Sequence, residues 1–95
     1  MRKYEMMVLF DPSLEDEALK EEVSKVEDLI RREEGEIEKV DIWGRRRLAY
    51  PVNKKREGIY AIFYFQVNPD RLKEIDRVMK INQKAMRFMV VKRED

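Results

Sequence analysis

Apolar and polar positions along this chain alternate, then recur every three to four residues, then alternate again, and that succession predicts the elements. Residues 3–10 (Lys-Tyr-Glu-Met-Met-Val-Leu-Phe) are short, apolar and partly alternating, the pattern of a buried central strand. Asp11-Pro12-Ser13 ends it, and Ser13 followed by Asp16 predicts a capping box with Asp in the partner position. Leu19, Val23, Val26 and Ile30 then recur at helical spacing among charged residues, with Gly35 as the expected C′ residue. Residues 36–50 predict a long second strand whose alternation is broken. Ile37 and Val40 share a face only through a twist or bulge, and Gly44 offers a place for one.

A polar turn region is expected over 51–58, closing on Gly58. Residues 59–67 form the strongest strand pattern: the odd positions are wholly apolar, and the even ones are Tyr60, Ile62, Tyr64 and Gln66. Asn68-Pro69-Asp70 punctuates, Leu72, Ile75 and Met79 mark a second helix, and residues 86–92 give a fourth strand. The order is β-α-β-β-α-β. Right-handed crossovers turn it into a ferredoxin-like α+β fold, a four-stranded antiparallel sheet with both helices on one face. One domain over 1–95 is expected, with no linker or second unit.

A single helix layer leaves the other sheet face open. By parity that face carries Tyr60, Ile62 and Tyr64, joined by Met7, Leu9, Met89 and Val91. An open face this apolar predicts a protein-partner surface, with Tyr60, Ile62, Tyr64, Met89 and Val91 as its candidates; cover by flanking Lys and Arg stems is the alternative.

Composition narrows the chemistry. The chain has neither cysteine nor histidine, which removes disulfides, the commonest metal ligands and the commonest general base, so no cofactor, metal or catalytic group is expected. No apolar run approaches membrane-span length and the N-terminus enters a strand at once, so a cytoplasmic protein is expected. The net charge of +1 hides a bipolar molecule. Between Ser13 and Glu38 eleven acids face four bases, whereas between Trp43 and Gly58 six bases (Arg45, Arg46, Arg47, Lys54, Lys55, Arg56) face Glu57 alone. On the helix, Glu21–Lys25, Glu27–Arg31 and Asp28–Arg32 stand at i,i+4 in the favourable order. Cations concentrated on a strand and its turn suit a phosphate backbone, and the acidic helix orients them toward it.

Tyr4-Glu5, Asp11-Pro12, Trp43-Gly44-Arg45-Arg46-x-Leu48-Ala49-Tyr50-Pro51 with Asn53-Lys54, and Arg87-x-Met89-Val90-Val91-Lys92 resemble the sixth small-subunit ribosomal protein of bacteria over essentially the whole chain. The resemblance implies a structural protein of the 30S subunit, bound to the platform region of the 16S rRNA central domain. It also implies a heterodimer with the eighteenth small-subunit protein, joining after the fifteenth, and a monomer when isolated. By the same resemblance Arg2, Arg45, Arg46, Arg47, Lys54, Arg87 and Lys92 are the candidate rRNA phosphate contacts, arginine's planar fork suiting bidentate grip. Tyr50 and Pro51 are read as closing the strand, and Trp43 as core or rim packing, with stacking on a base as the lesser reading. Many relatives carry a longer C-terminal tail that can reach neighbours, whereas this chain stops at Asp95, a departure that puts tail-mediated partner contacts in doubt.

Three rival functions share the fold. An RRM-like module binding single-stranded RNA is faintly echoed by Gly58-Ile59-Tyr60-Ala61, but the companion aromatic motif on the first strand is missing. A ferredoxin-like regulatory homodimer would use the open face. An acylphosphatase-like hydrolase needs a phosphate-cradling glycine loop, and Asp11-Pro12-Ser13 is not one.

Overall fold

The computed structural model describes residues 1–94; the chain end at Asp95, on which the expectation about tail contacts rests, lies outside them. Strands β1 (Arg2–Phe10), β2 (Glu36–Val52), β3 (Lys55–Val67) and β4 (Ala85–Lys92) form one antiparallel sheet in the order β2-β3-β1-β4. Helices α1 (Asp16–Arg32) and α2 (Leu72–Ile81) supply the two crossovers, the second entered through a 3₁₀ turn at Pro69–Arg71. This is the expected ferredoxin-like α+β architecture.

The alternation that predicted β1 and β3 is the alternation that buries them. Tyr4, Met6, Val8 and Phe10 on β1 and Ile59, Ala61, Phe63, Phe65 and Val67 on β3 face the helices, where Val23, Val26, Leu29 and Ile30 of α1 and Ile75 and Met79 of α2 complete one core. Phe10, Phe63 and Phe65 are wholly enclosed, and each such side chain contributes about 1.5–3 kcal/mol of burial.

Local chemistry departs from expectation at four places. Ser13 does not cap α1: its N–H and hydroxyl both donate to Asp11 Oδ1, at 2.8 and 2.7 Å, and the N-cap is Glu15 with no side-chain cap bond. The preceding carboxylate captures the serine first, so the helix starts later. At the other end, the left-handed C′ residue is Glu34 (φ 64°), with Glu34 N–H on Arg31 O and Gly35 N–H on Ile30 O, both at 2.9 Å, as in a Schellman motif. Gly35 is needed for space instead: a Cβ there would stand 2.7 Å from Ile30 Cγ2.

The turn region shrinks as well. β2 continues to Val52 and β3 starts at Lys55, so only Asn53 and Lys54 turn, with φ of 49° and 65°, the both-left-handed pattern of a tight hairpin. On α1, Glu27–Arg31 forms at 3.8 Å, but Lys25 pairs with Glu22 at 3.1 Å and Arg31 also with Asp28 at 3.6 Å, so the i,i+3 partners replace two of the expected i,i+4 ones.

β2 carries two bulges. One residue is skipped between Ile37 and Lys39 and another between Ile42 and Gly44 in the pairing with β3. The first lets Ile37 and Val40 both pack on the core, as their spacing required. Its extra residue, Glu38, turns aside and gathers partners: Arg93 as an ion pair, Gln66 Nε2 at 3.0 Å and Lys3 Nζ at 4.0 Å. Arg93 also donates to Tyr4 O at 3.2 Å and Phe65 O at 3.4 Å, so this one guanidinium reaches β1, β2 and β3 from the end of β4.

Candidate nucleic-acid interface

The long hairpin leaves its ladder near the tip. Arg47 pairs with Glu57 and Val52 with Lys55, so Leu48-Ala49-Tyr50-Pro51 oppose Arg56 alone. Pro51, which has no N–H to donate, sits in this unpaired stretch. The slack lets the segment bow over the open sheet face. The Tyr50 hydroxyl accepts from Arg87 Nη1 at 2.7 Å, and the Arg87 guanidinium lies 5.7 Å from the Tyr50 ring centroid. Between this arm and the sheet runs a cleft of about 450 Å³, lined by Leu48, Ala49, Tyr50 and Val52 on the arm and by Met7, Leu9, Tyr60, Arg87, Phe88 and Met89 below.

The basic residues sort by position. Lys25, Arg31 and Arg32 on α1, Arg71, Arg77 and Lys80 at and within α2, and Lys3 and Arg93 at the Glu38 end all stand in ion pairs. At the hairpin end the opposite holds. Arg45, Arg46, Arg47, Lys54, Lys55, Arg56, Lys84 and Arg87 make no ion pair among the described residues. Such a cluster attracts anions, because its positive charges outnumber the nearby carboxylates Asp11 and Glu57 and none is held in a close ion pair.

The individual candidates differ. Arg45 pairs with Ile59 and so points to the helix side, where its Nη2 donates to Pro12 O at 2.6 Å and to Leu14 O at 3.5 Å. That guanidinium braces the β1–α1 loop. Arg46, opposite Gly58, shares the open face with Tyr60, while Arg47 faces the other way; both are exposed. Lys54 is at the turn, and Arg87 is drawn to the arm by Tyr50. Arg2 and Lys92 do not join this group: measured along β1 from the Arg87–Leu9 pair, Lys92, opposite Tyr4, is roughly 17 Å away and Arg2, opposite Val67, roughly 24 Å.

Two further cations near the hairpin were not among the candidate phosphate contacts. Lys55 and Lys84 lie beside Asp11, whose carboxyl is held below its ordinary range first by the Ser13 hydroxyl and N–H and then by these two charges. Lys55 belonged to the visible basic run, but nothing in the sequence tied Lys84 to the hairpin.

The open face is less exposed than parity implied. Ile62 lies on it by register, opposite Met7, yet is only 4% exposed. Tyr64 is flanked by Lys39 and Arg93, with Nζ and Cζ 5.7 and 5.4 Å from its ring centroid. The cation stems therefore cover part of the face, as the alternative held. Met89 and Val91, 56% and 46% exposed, remain open on β4, with half-buried Tyr60 across β1 on the same face. Among the described residues no cluster of carboxylates is placed to hold a metal ion, and no helix is long and apolar enough to cross a membrane.

A ferredoxin-like sheet whose long hairpin carries cations without ion pairs among the described residues defines the class: a small α+β domain with a basic arm. The family described as ribosomal protein S6 matches residues 3–92, and the chain belongs to that family. It is 47% identical over 94 residues to the small ribosomal subunit protein bS6 of Clostridium novyi (strain NT), covering 99% of each chain. With bS6 of Arthrobacter sp. (strain FB24) it shares 46% over 95 residues, covering 100% of this chain and 94% of the relative. The crystal structure of 30S ribosomal protein S6 from Thermotoga maritima superposes with a TM-score of 0.92 at 29% identity, covering 97% of this chain and 87% of that one. The chain is therefore a protein of the small ribosomal subunit, and it is not an enzyme.

Proposed function

We propose that this chain binds the central domain of 16S rRNA, at the platform, together with the eighteenth small-subunit ribosomal protein, and that it does so in the cytoplasm as one domain. The observation that carries the reading is the segregation of charge: the bases on the helices stand in ion pairs except Lys20 and Lys73, whereas those of the hairpin and Arg87 make none among the described residues and are left for an external anion. Arg46, Arg47, Lys54 and Arg87 supply the principal phosphate contacts. Arg45 acts from behind, fixing the loop against which the hairpin rests, and Arg2 and Lys92 serve a second contact at the far end of the sheet. Recognition is of folded RNA shape and backbone. The protein partner takes the uncovered part of the open face, Met89 and Val91 with Tyr60, over a floor set by Ile62 and Tyr64.

The test is incorporation into a reconstituted central-domain particle. Arg46→Glu with Arg47→Glu is expected to abolish incorporation while leaving the circular dichroism spectrum unchanged; undiminished incorporation overturns the phosphate assignment. Met89→Asp is expected to weaken association with the eighteenth protein in sedimentation, and a tight homodimer of the wild type would favour the regulatory reading.

A further inference from the structure

Trp43 is the sole tryptophan of the chain and is 46% exposed, whereas the aromatics Phe10, Phe63 and Phe65 are fully buried. It is the extra residue of the second β2 bulge, which a regular ladder would not need. Gly44, next to it, has φ +89°, and a Cβ built there would meet nothing within 4 Å. Glycine is thus required by the backbone conformation and not by crowding. The indole is held in place without being buried: Nε1–H donates to Asp41 Oδ2 at 3.3 Å, and the ring lies 6.5 Å from Tyr60, tilted by 51°. On the same face of β2 stands Arg46, exposed and without an ion pair.

We propose that Trp43 is a stacking platform for one unpaired nucleobase of the bound RNA, whose adjoining phosphate is held by Arg46. This rests on the rRNA reading above and adds a base contact to it. An exposed indole beside an unpaired guanidinium complements a nucleotide, whose base offers a π-face and whose phosphate a charge. The greasy side chain of a protein partner would use the indole and leave the cation unanswered.

The sole tryptophan makes the test direct. The chain is labelled with 5-fluorotryptophan, so that its ¹⁹F spectrum reads residue 43 alone, and a 16S central-domain RNA fragment is added after the eighteenth protein. The resonance is expected to shift on RNA addition. Trp43→Ala is expected to weaken RNA binding by about 5- to 100-fold, corresponding to one base stack, with the salt dependence of binding unchanged. Trp43→Phe is expected to retain most of the affinity. A shift completed by the protein partner alone overturns the proposal. So does wild-type affinity in Trp43→Ala, or a wild-type resonance unmoved with RNA bound, either of which leaves the phosphate contacts standing. Absence of any RNA binding by the wild-type complex overturns both.

Discussion

Tyr50 accepts a hydrogen bond from Arg87 at 2.7 Å, joining the tip region of the β2–β3 hairpin to the edge strand on the far side of the sheet. The contact closes one side of the arm cleft and places a cation from β4 among those of the hairpin. Tyr50→Phe removes the acceptor and keeps the ring. Urea unfolding is expected to show a loss of about 0.5–1 kcal/mol, the net worth of one exposed hydrogen bond. Amide exchange over residues 48–52 is expected to accelerate more than in the core strands, and unchanged protection there would show that the arm is held by something else.

Glu38 provides a pH dependence with a definite sign. Its carboxyl is held below the ordinary glutamate range, first by the hydrogen bond from Arg93 and then by that from Gln66, against a smaller opposing effect of burial. A depressed folded-state value contributes stability that is present above the unfolded value, about 4.3, and is lost as pH falls through the folded one. Asp11 and Glu74 are shifted the same way, so the comparison must be with Glu38→Gln. The variant is expected to have a shallower decline in urea midpoint below pH 4.5 than the wild type; parallel curves would remove Glu38 from the account.

Gly35→Ala is expected to destabilise although it introduces a better helix former next to α1. The added methyl would stand 2.7 Å from Ile30 Cγ2 and 2.9 Å from Ile30 O, and relieving such overlap costs about 1–3 kcal/mol. Glu34→Gly, at the residue that is left-handed, is expected to be neutral or mildly stabilising. Thermal unfolding of the two variants distinguishes a need for space from a need for conformation.

Salt dependence separates bracing from binding among the arginines. Replacing Arg46 by Ala is expected to reduce the slope of log K against log salt for rRNA binding by roughly 1, one phosphate contact. Arg45→Ala is expected to leave the slope nearly intact and to lower stability instead, since its guanidinium is engaged by Pro12 O and Leu14 O. Equal slope losses would return Arg45 to the RNA contacts.

What could be read from the sequence follows from where one periodicity holds. β1, β3 and α1 keep one period over most of their length, so most of the α1 and β3 core faces could be named, although Leu29 on α1 was missed and Leu9, assigned to the open face, is buried. β2 does not, because two inserted residues shift its parity at Glu38 and Trp43; the break at Ile37 and Val40 was visible, but not what the extra residue would do. Side-chain acceptors were equally hidden: nothing marks Arg45 as bound to a loop 33 residues earlier, or Ser13 as belonging to Asp11 and not to the helix. The hairpin turn lacks the glycine that usually advertises it, and Asn53-Lys54 therefore dissolved into a longer polar stretch. The charge segregation was legible in outline, and only the pairing pattern shows which of those charges are left over.

The two bulges of β2 can also be considered by subtraction. Without residue 38, Ile37 and Lys39 would still meet Phe65 and Tyr64, and without residue 43, Ile42 and Gly44 would still meet Ala61 and Tyr60. A strand shortened in this way would pair without a register shift from Glu36 to Arg47, with the residues there on their present faces. Each insertion thus adds one side chain that the ladder itself does not use: one an acid that fastens Arg93 just past β4, the other an indole held out to solvent.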